Sequence, residues 1–110
     1  MSGQDLYIEL RDRYAYLDQA LKAYRRYGRT YGKAESDYRE ALTTEMLKKR
    51  DEGMPVTILS DVCRGLPLIA KLRLHRDIAE AEYKAAQEAI QVYKLQIRLL
   101  EAQIDREYRG

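Results

Sequence analysis

Residues that break helices are gathered in one place. Both prolines and two of the six glycines fall within Gly53–Pro67, GMPVTILSDVCRGLP. On either side, long segments carry helical patterning, so a chain of 110 residues has one natural point at which to reverse direction. That predicts a helical hairpin.

In the first arm Leu10, Tyr14, Leu17, Leu21, Tyr24, Gly28, Tyr31, Glu35, Tyr38 and Leu42 follow one another at alternating spacings of four and three. This is the spacing of a coiled-coil seam. Gly28 and Gly32 each cost about 1 kcal/mol against Ala inside a helix, yet the register passes through them without a skip. One continuous helix is therefore expected, from a start at Ser2-Gly3 with Asp5 near the positive helix end; the alternative is two helices meeting near 27–32. Glu35 is the polar exception in the seam, expected to be partly exposed.

Within the turn, Gly53 suits a left-handed cap after the basic last turn of Lys48, Lys49 and Arg50. Thr57 is a candidate cap for a short helix that Gly65 would end. Pro67 fits the first turn of the next helix, where its missing N–H costs nothing. The second arm then runs without Gly or Pro as far as Gly110.

That arm carries two apolar stripes. One comprises Leu72, Ala79, Tyr83, Ala86, Ile90, Tyr93, Ile97, Leu100 and Ile104; the other, Leu74, Ile78, Ala81, Ala85, Ala89, Val92 and Leu99, lies about a third of a turn away. A single partner helix covers one stripe. The second, and within it Ile78, Ala81, Ala85, Ala89, Val92 and Leu99, is expected to form an oligomer interface unless the first helix folds back over it. In an antiparallel hairpin Tyr31 and Tyr38 are expected opposite the alanine-rich run of Ala79, Ala81, Ala85, Ala86 and Ala89.

The expected fold is thus all-α: a long antiparallel helical hairpin forming one domain over 1–110, with arms at 5–51 and 67–108, a short helix in the turn at 53–66, and assembly into a four-helix-bundle dimer. Composition agrees, being 35% charged with no Trp or Phe, as in long-helix proteins. Ten tyrosines supply all the aromatic rings, and their hydroxyls favour seams and boundaries over a dry core. A single cysteine suits a reducing cytoplasm. No basic leader precedes an apolar run, and no run approaches the eighteen or so apolar residues of a membrane span, so a soluble, unexported protein is expected.

Two basic regions stand out. YRRYGRTYGK places Arg25, Arg26, Tyr27 and Arg29 together without an acid, offering bidentate donors for phosphate and rings for stacking; a solvated helix flank has the same appearance. At the turn, Ser60, Asp61, Arg64, Lys71 and Arg73 gather beside the starts of two helices, which bind anions readily. Equally, these residues could brace the turn, with Asp61 paired to Arg64. Nucleotides and nucleic acid are the ligands such a surface suits.

Catalysis finds little support. His75 is the only histidine, Cys63 has no histidine placed to activate it and reads as a small buried apolar group, and the carboxylates lack the Glu-x-x-His spacing of a di-metal bundle. No metal, cofactor or catalytic set is expected. VTILSDVCRGLPLIAKLR has a helix-turn-helix outline, but a recognition helix belongs to a compact three-helix unit, and here it would begin a long arm.

PVTILSDVCRG, followed by AKLRLHRDIAEAEYKAAQEAIQVYKLQIRLLEAQIDREY, resembles small helical proteins encoded by phages and prophages of Gram-positive bacteria, often among early or replication and recombination genes. The resemblance covers about Ala34 to the C-terminus. It implies a phage origin and the cytoplasm of a host cell. Two function classes follow: a non-enzymatic accessory protein that binds an anionic ligand, acting against host defence or beside phage DNA processing, and a scaffold or inhibitor that docks on a host or phage protein through an apolar helix stripe.

Overall fold

The computed structural model describes residues 3–109. Ser2, part of the expected helix start, lies outside them. Among the described residues the chain forms α1 (Gly3–Asp51), α2 (Val56–Arg64) and α3 (Pro67–Arg109), with no strand. It is a helical hairpin in which α1 packs against α3.

α1 passes through Gly28 and Gly32 without a break, because the packed face continues on both sides of them and outweighs their low propensity. It ends where the sequence predicts. Gly53 takes φ +94°, its N–H donates to the Arg50 carbonyl at 3.0 Å, and the Met54 N–H donates to that of Lys49 at 3.1 Å. Those paired bonds satisfy carbonyls that a helix end leaves open.

α2 starts at Val56 with Pro55 at the cap position and no side-chain cap bond. Thr57 therefore does not cap it; the helix begins two residues too early for that role. Gly65 ends α2 in right-handed geometry. Pro67 opens α3, and the Leu66 carbonyl takes the first bond, from the Ala70 N–H at 2.8 Å.

Contacts divide the chain into two compact units. One joins the part of α1 through Arg26 to the part of α3 from Tyr83 onward; the other is Tyr27–Glu82. In the first unit, Leu6, Leu10, Arg13, Leu17, Ala20 and Tyr24 are buried or half-buried on α1, as are Tyr83, Ala86, Ile90, Tyr93, Ile97, Leu100 and Ile104 on α3. Tyrosine pairs mark the antiparallel sense: Tyr7 with Tyr108, Tyr16 with Tyr93, and Tyr24 with Tyr83.

Nine of the ten expected α1 seam positions are buried or half-buried, Tyr14 being the exception, and Leu6, Arg13 and Ala20 turn inward beside them. Tyr14 is 50% exposed and turns its hydroxyl toward Glu101 Oε1 at 3.5 Å. A small side chain at Ala20 lets the backbones approach, whereas a phenol needs a polar partner.

In the second unit the buried residues are Ala34 and Tyr38 of α1, Leu59 and Cys63 of α2, and Ile69 and Ala79 of α3. Cys63 is fully buried and free, filling the space of a small apolar group. Tyr38 and Ala79, expected to lie opposite one another, are both buried, and the Arg76 guanidinium lies 4.5 Å from the Tyr38 ring centroid. Ala81, from the expected alanine layer, is exposed.

Candidate anion-binding site

α1, α2 and α3 come together in the second unit around a cavity of about 250 Å³ lined by Tyr38, Arg39, Leu42, Arg64, Arg73 and Arg76. Tyr38 is buried because it occupies the inward row of α1, and Arg39 and Leu42 follow it around one turn. Arg64 is the last residue of α2. Arg73 and Arg76 stand one turn apart on α3 and present to the same side.

The four arginines are in different electrostatic states. Arg76 donates to Asp77 Oδ1 at 2.9 Å and stands 3.4 Å from Glu35 Oε2. Asp77, foremost, raises its pKa above the usual arginine range. Arg39 donates to the other oxygen of Glu35. That hydrogen bond, followed by the charges of Arg39 and Arg76, holds the Glu35 carboxyl below its ordinary range. Arg64 and Arg73 have no ion pair among the described residues. With Glu35 and Asp77 neutralising two guanidiniums, the cavity keeps an excess of two positive charges.

The lining of such a cavity combines four guanidiniums with a tyrosine. Phosphate fits that chemistry, since arginine pairs with it in a planar fork. At about 250 Å³ the space is just below the roughly 300–1,000 Å³ of small-molecule pockets. It therefore accommodates the phosphate end of a nucleotide better than the whole of one.

Of the residues expected at the turn, Arg64 and Arg73 line the cavity. Ser60, Asp61 and Lys71 do not, and no ion pair joins Asp61 to Arg64 among the described residues. The donors are side chains of the middle and end of helices, and not the helix starts favoured on sequence. Arg25, Arg26 and Arg29 lie exposed on α1, Tyr27 is half-buried, and none of them lines this cavity. In the second α3 stripe Ile78, Ala81, Ala85, Val92 and Leu99 are exposed and Ala89 is half-buried.

Sequence reasoning missed Tyr38 and Arg39 as site residues, and placed Arg76 in the basic turn region without singling it out for the site. Arg76 was detectable: it interrupts the inner row of α3 between Leu72 and Ala79, at the spacing where an apolar residue belongs. A charged residue in a seam needs a partner, and Glu35 is the polar exception on the other arm.

Elsewhere in the same unit, a groove lined by Asp37, Glu40, Ala41, Thr44, Glu45 and Leu68 is acidic. No group of three or more His, Cys, Asp or Glu is arranged to hold a metal ion among the described residues, and no helix there is long and apolar enough to cross a membrane. No protein family, curated protein or solved structure matches the chain.

Proposed function

We propose that this chain is a non-enzymatic accessory protein that binds a phosphate-bearing ligand, a nucleotide or a nucleic-acid end, in the arginine cavity of Tyr27–Glu82. One observation carries the reading: Arg64 and Arg73 face a common cavity without a carboxylate partner. Unneutralised guanidiniums held at one cavity repel one another, and an arriving dianion relieves that repulsion while gaining charge-assisted bonds. In the phage setting that the resemblance implies, the protein works in the host cytoplasm, sequestering a nucleotide signal of host defence or serving phage DNA processing. Self-association through the outer stripe of α3, giving a four-helix bundle, completes the proposal.

Titration calorimetry with a mononucleotide, a cyclic dinucleotide and a short single-stranded RNA tests it. The expected result is binding that weakens as salt rises, with Arg64→Ala and Arg73→Ala each lowering affinity about tenfold or more, since one charged hydrogen bond contributes about 1.5–3 kcal/mol. Equal affinity of the variants and the natural chain would reject the site.

A second reading rests on a separate observation. Leu74, Ile78, Val92 and Leu99 are all exposed on α3, as on a helix that docks on a protein groove. In that case Val92→Glu would abolish function while Arg73→Ala left it intact.

A further inference from the structure

Within the unit that contains the end of α3, Ala85, Glu88, Val92, Leu95, Leu99 and Ala102 repeat at alternating spacings of three and four. All six are exposed, Val92 at 46%, Leu95 at 51% and Leu99 at 61%. This is a second heptad seam on the helix, and it takes in Leu95, which the stripe read from sequence omits. The outer positions of α1 in the same unit are of another kind, with Arg11, Asp18, Lys22 and Arg25 exposed. α1 also exposes Tyr7, Ile8, Tyr14 and Tyr16 in this unit, but those side chains do not repeat at the three-four spacing that Val92, Leu95 and Leu99 keep on α3.

We infer that this seam pairs with the same seam of a second copy, antiparallel, about an axis between Tyr93 and Lys94; the inference rests on the self-association proposed above and specifies its geometry. In an antiparallel pair the two kinds of seam position meet in layers. The register that sets Val92 opposite Leu95 of the second copy also sets Ala85 opposite Ala102. The same register sets Glu88 opposite Leu99 of the second copy, with Arg98 one residue away on the flank of the seam. It also sets Lys84 beside Asp105 of that copy, which Arg109 of the same chain also contacts at 3.2 Å. The two-fold axis repeats both contacts, giving four attractive contacts in all.

Other arrangements are worse matched. Sliding the copies by one heptad in one direction sets Lys84 against Arg98 of the other chain, and sliding in the opposite direction sets Arg98 against Arg98. Parallel pairing in register puts Glu88 against Glu88 inside the seam. Opposed like charges disfavour all three.

Charge exchange at one contact tests the register. The dissociation constant of the dimer is measured by light scattering and analytical ultracentrifugation, with helicity checked by circular dichroism. Arg98→Glu is expected to weaken the dimer about tenfold or more, by placing like charge beside Glu88 of the second copy, and Glu88→Arg/Arg98→Glu is expected to restore it to within about threefold. A dimer that Arg98→Glu leaves unchanged, or that the double exchange fails to restore, overturns the register while self-association stands. A natural chain that stays monomeric at about 100 μM overturns self-association, and this inference with it.

Discussion

The Glu35 carboxylate on α1 stands 3.4 Å from the Arg76 guanidinium on α3, and that guanidinium lies over the Tyr38 ring. Arg76 occupies a seam position of α3, and Glu35 flanks the seam of α1. One charged pair across the two helices therefore stacks a guanidinium on the tyrosine that lines the cavity and specifies which turn of α3 meets which turn of α1.

Glu35 makes stability in this unit sensitive to acid. Arg39 and then Arg76 hold its pKa below the ordinary value, so the unfolded chain takes up the proton first as pH falls. The contribution is present above the unfolded glutamate value of about 4.3 and is lost as pH drops through the lower folded value. The natural chain should melt above Glu35→Gln at pH 7, and the gap should narrow as pH falls below the ordinary glutamate value of about 4.3; a gap independent of pH would assign the effect to packing.

The hydroxyls of Tyr24 and Tyr83 are 2.7 Å apart and their rings stack at 4.8 Å. Tyr24→Phe and Tyr83→Phe should each destabilise by about 1 kcal/mol, since each removes the bond between the two hydroxyls. The double variant should cost less than the sum, with a coupling of about 0.5–1.5 kcal/mol in denaturant unfolding. Additive losses would mean that the hydroxyls do not bond in solution.

Two glycines should respond oppositely to alanine. A methyl group at Gly32 meets nothing within 4 Å, so Gly32→Ala should stabilise by about 1 kcal/mol through helix propensity. Gly53 has φ +94°, and Gly53→Ala should cost about 1–2 kcal/mol. Thermal unfolding of the two variants checks both signs.

Gln96 Oε1 is buried without a hydrogen-bond partner. An unmet acceptor costs about 1–3 kcal/mol, so Gln96→Met, which keeps length and removes the polar atoms, should raise stability by about 1 kcal/mol. A lowered melting temperature would show that the amide finds a partner in solution.

Ala86 is buried on the inner row of α3. Ala86→Leu adds three carbons to a close-packed seam and should destabilise by about 1–3 kcal/mol. A neutral shift in melting temperature would mean that the seam is loose at this layer.

The element borders were legible because their signals act within a turn or two. Gly53, Pro55, Gly65 and Pro67 bound the helices through their own backbone preferences, and the three-four spacing carries α1 across Gly28 and Gly32. The inner row of α3 was legible for a related reason, since its large apolar residues recur without a gap from Tyr83 to Ile104. The cavity was only half legible. Arg64 and Arg73 belong to a visibly basic turn, but Tyr38 and Arg39 lie far from it in sequence and reach it only because α1 folds back along α3.

Sequence by itself determined where α1 ends, where α3 begins and that α3 has more apolar surface than one partner can cover, because propensity, capping and periodicity are properties of neighbouring residues. Tertiary structure decided that Arg13 and Ala20 turn inward while Tyr14 turns out, that Arg76 rests on Tyr38, and that Ala79 and Ala86 are buried while Ala81 and Ala85 are exposed. Those choices compare two nearly equivalent helix faces, and the difference between them lies in the shape and charge of the opposing helix.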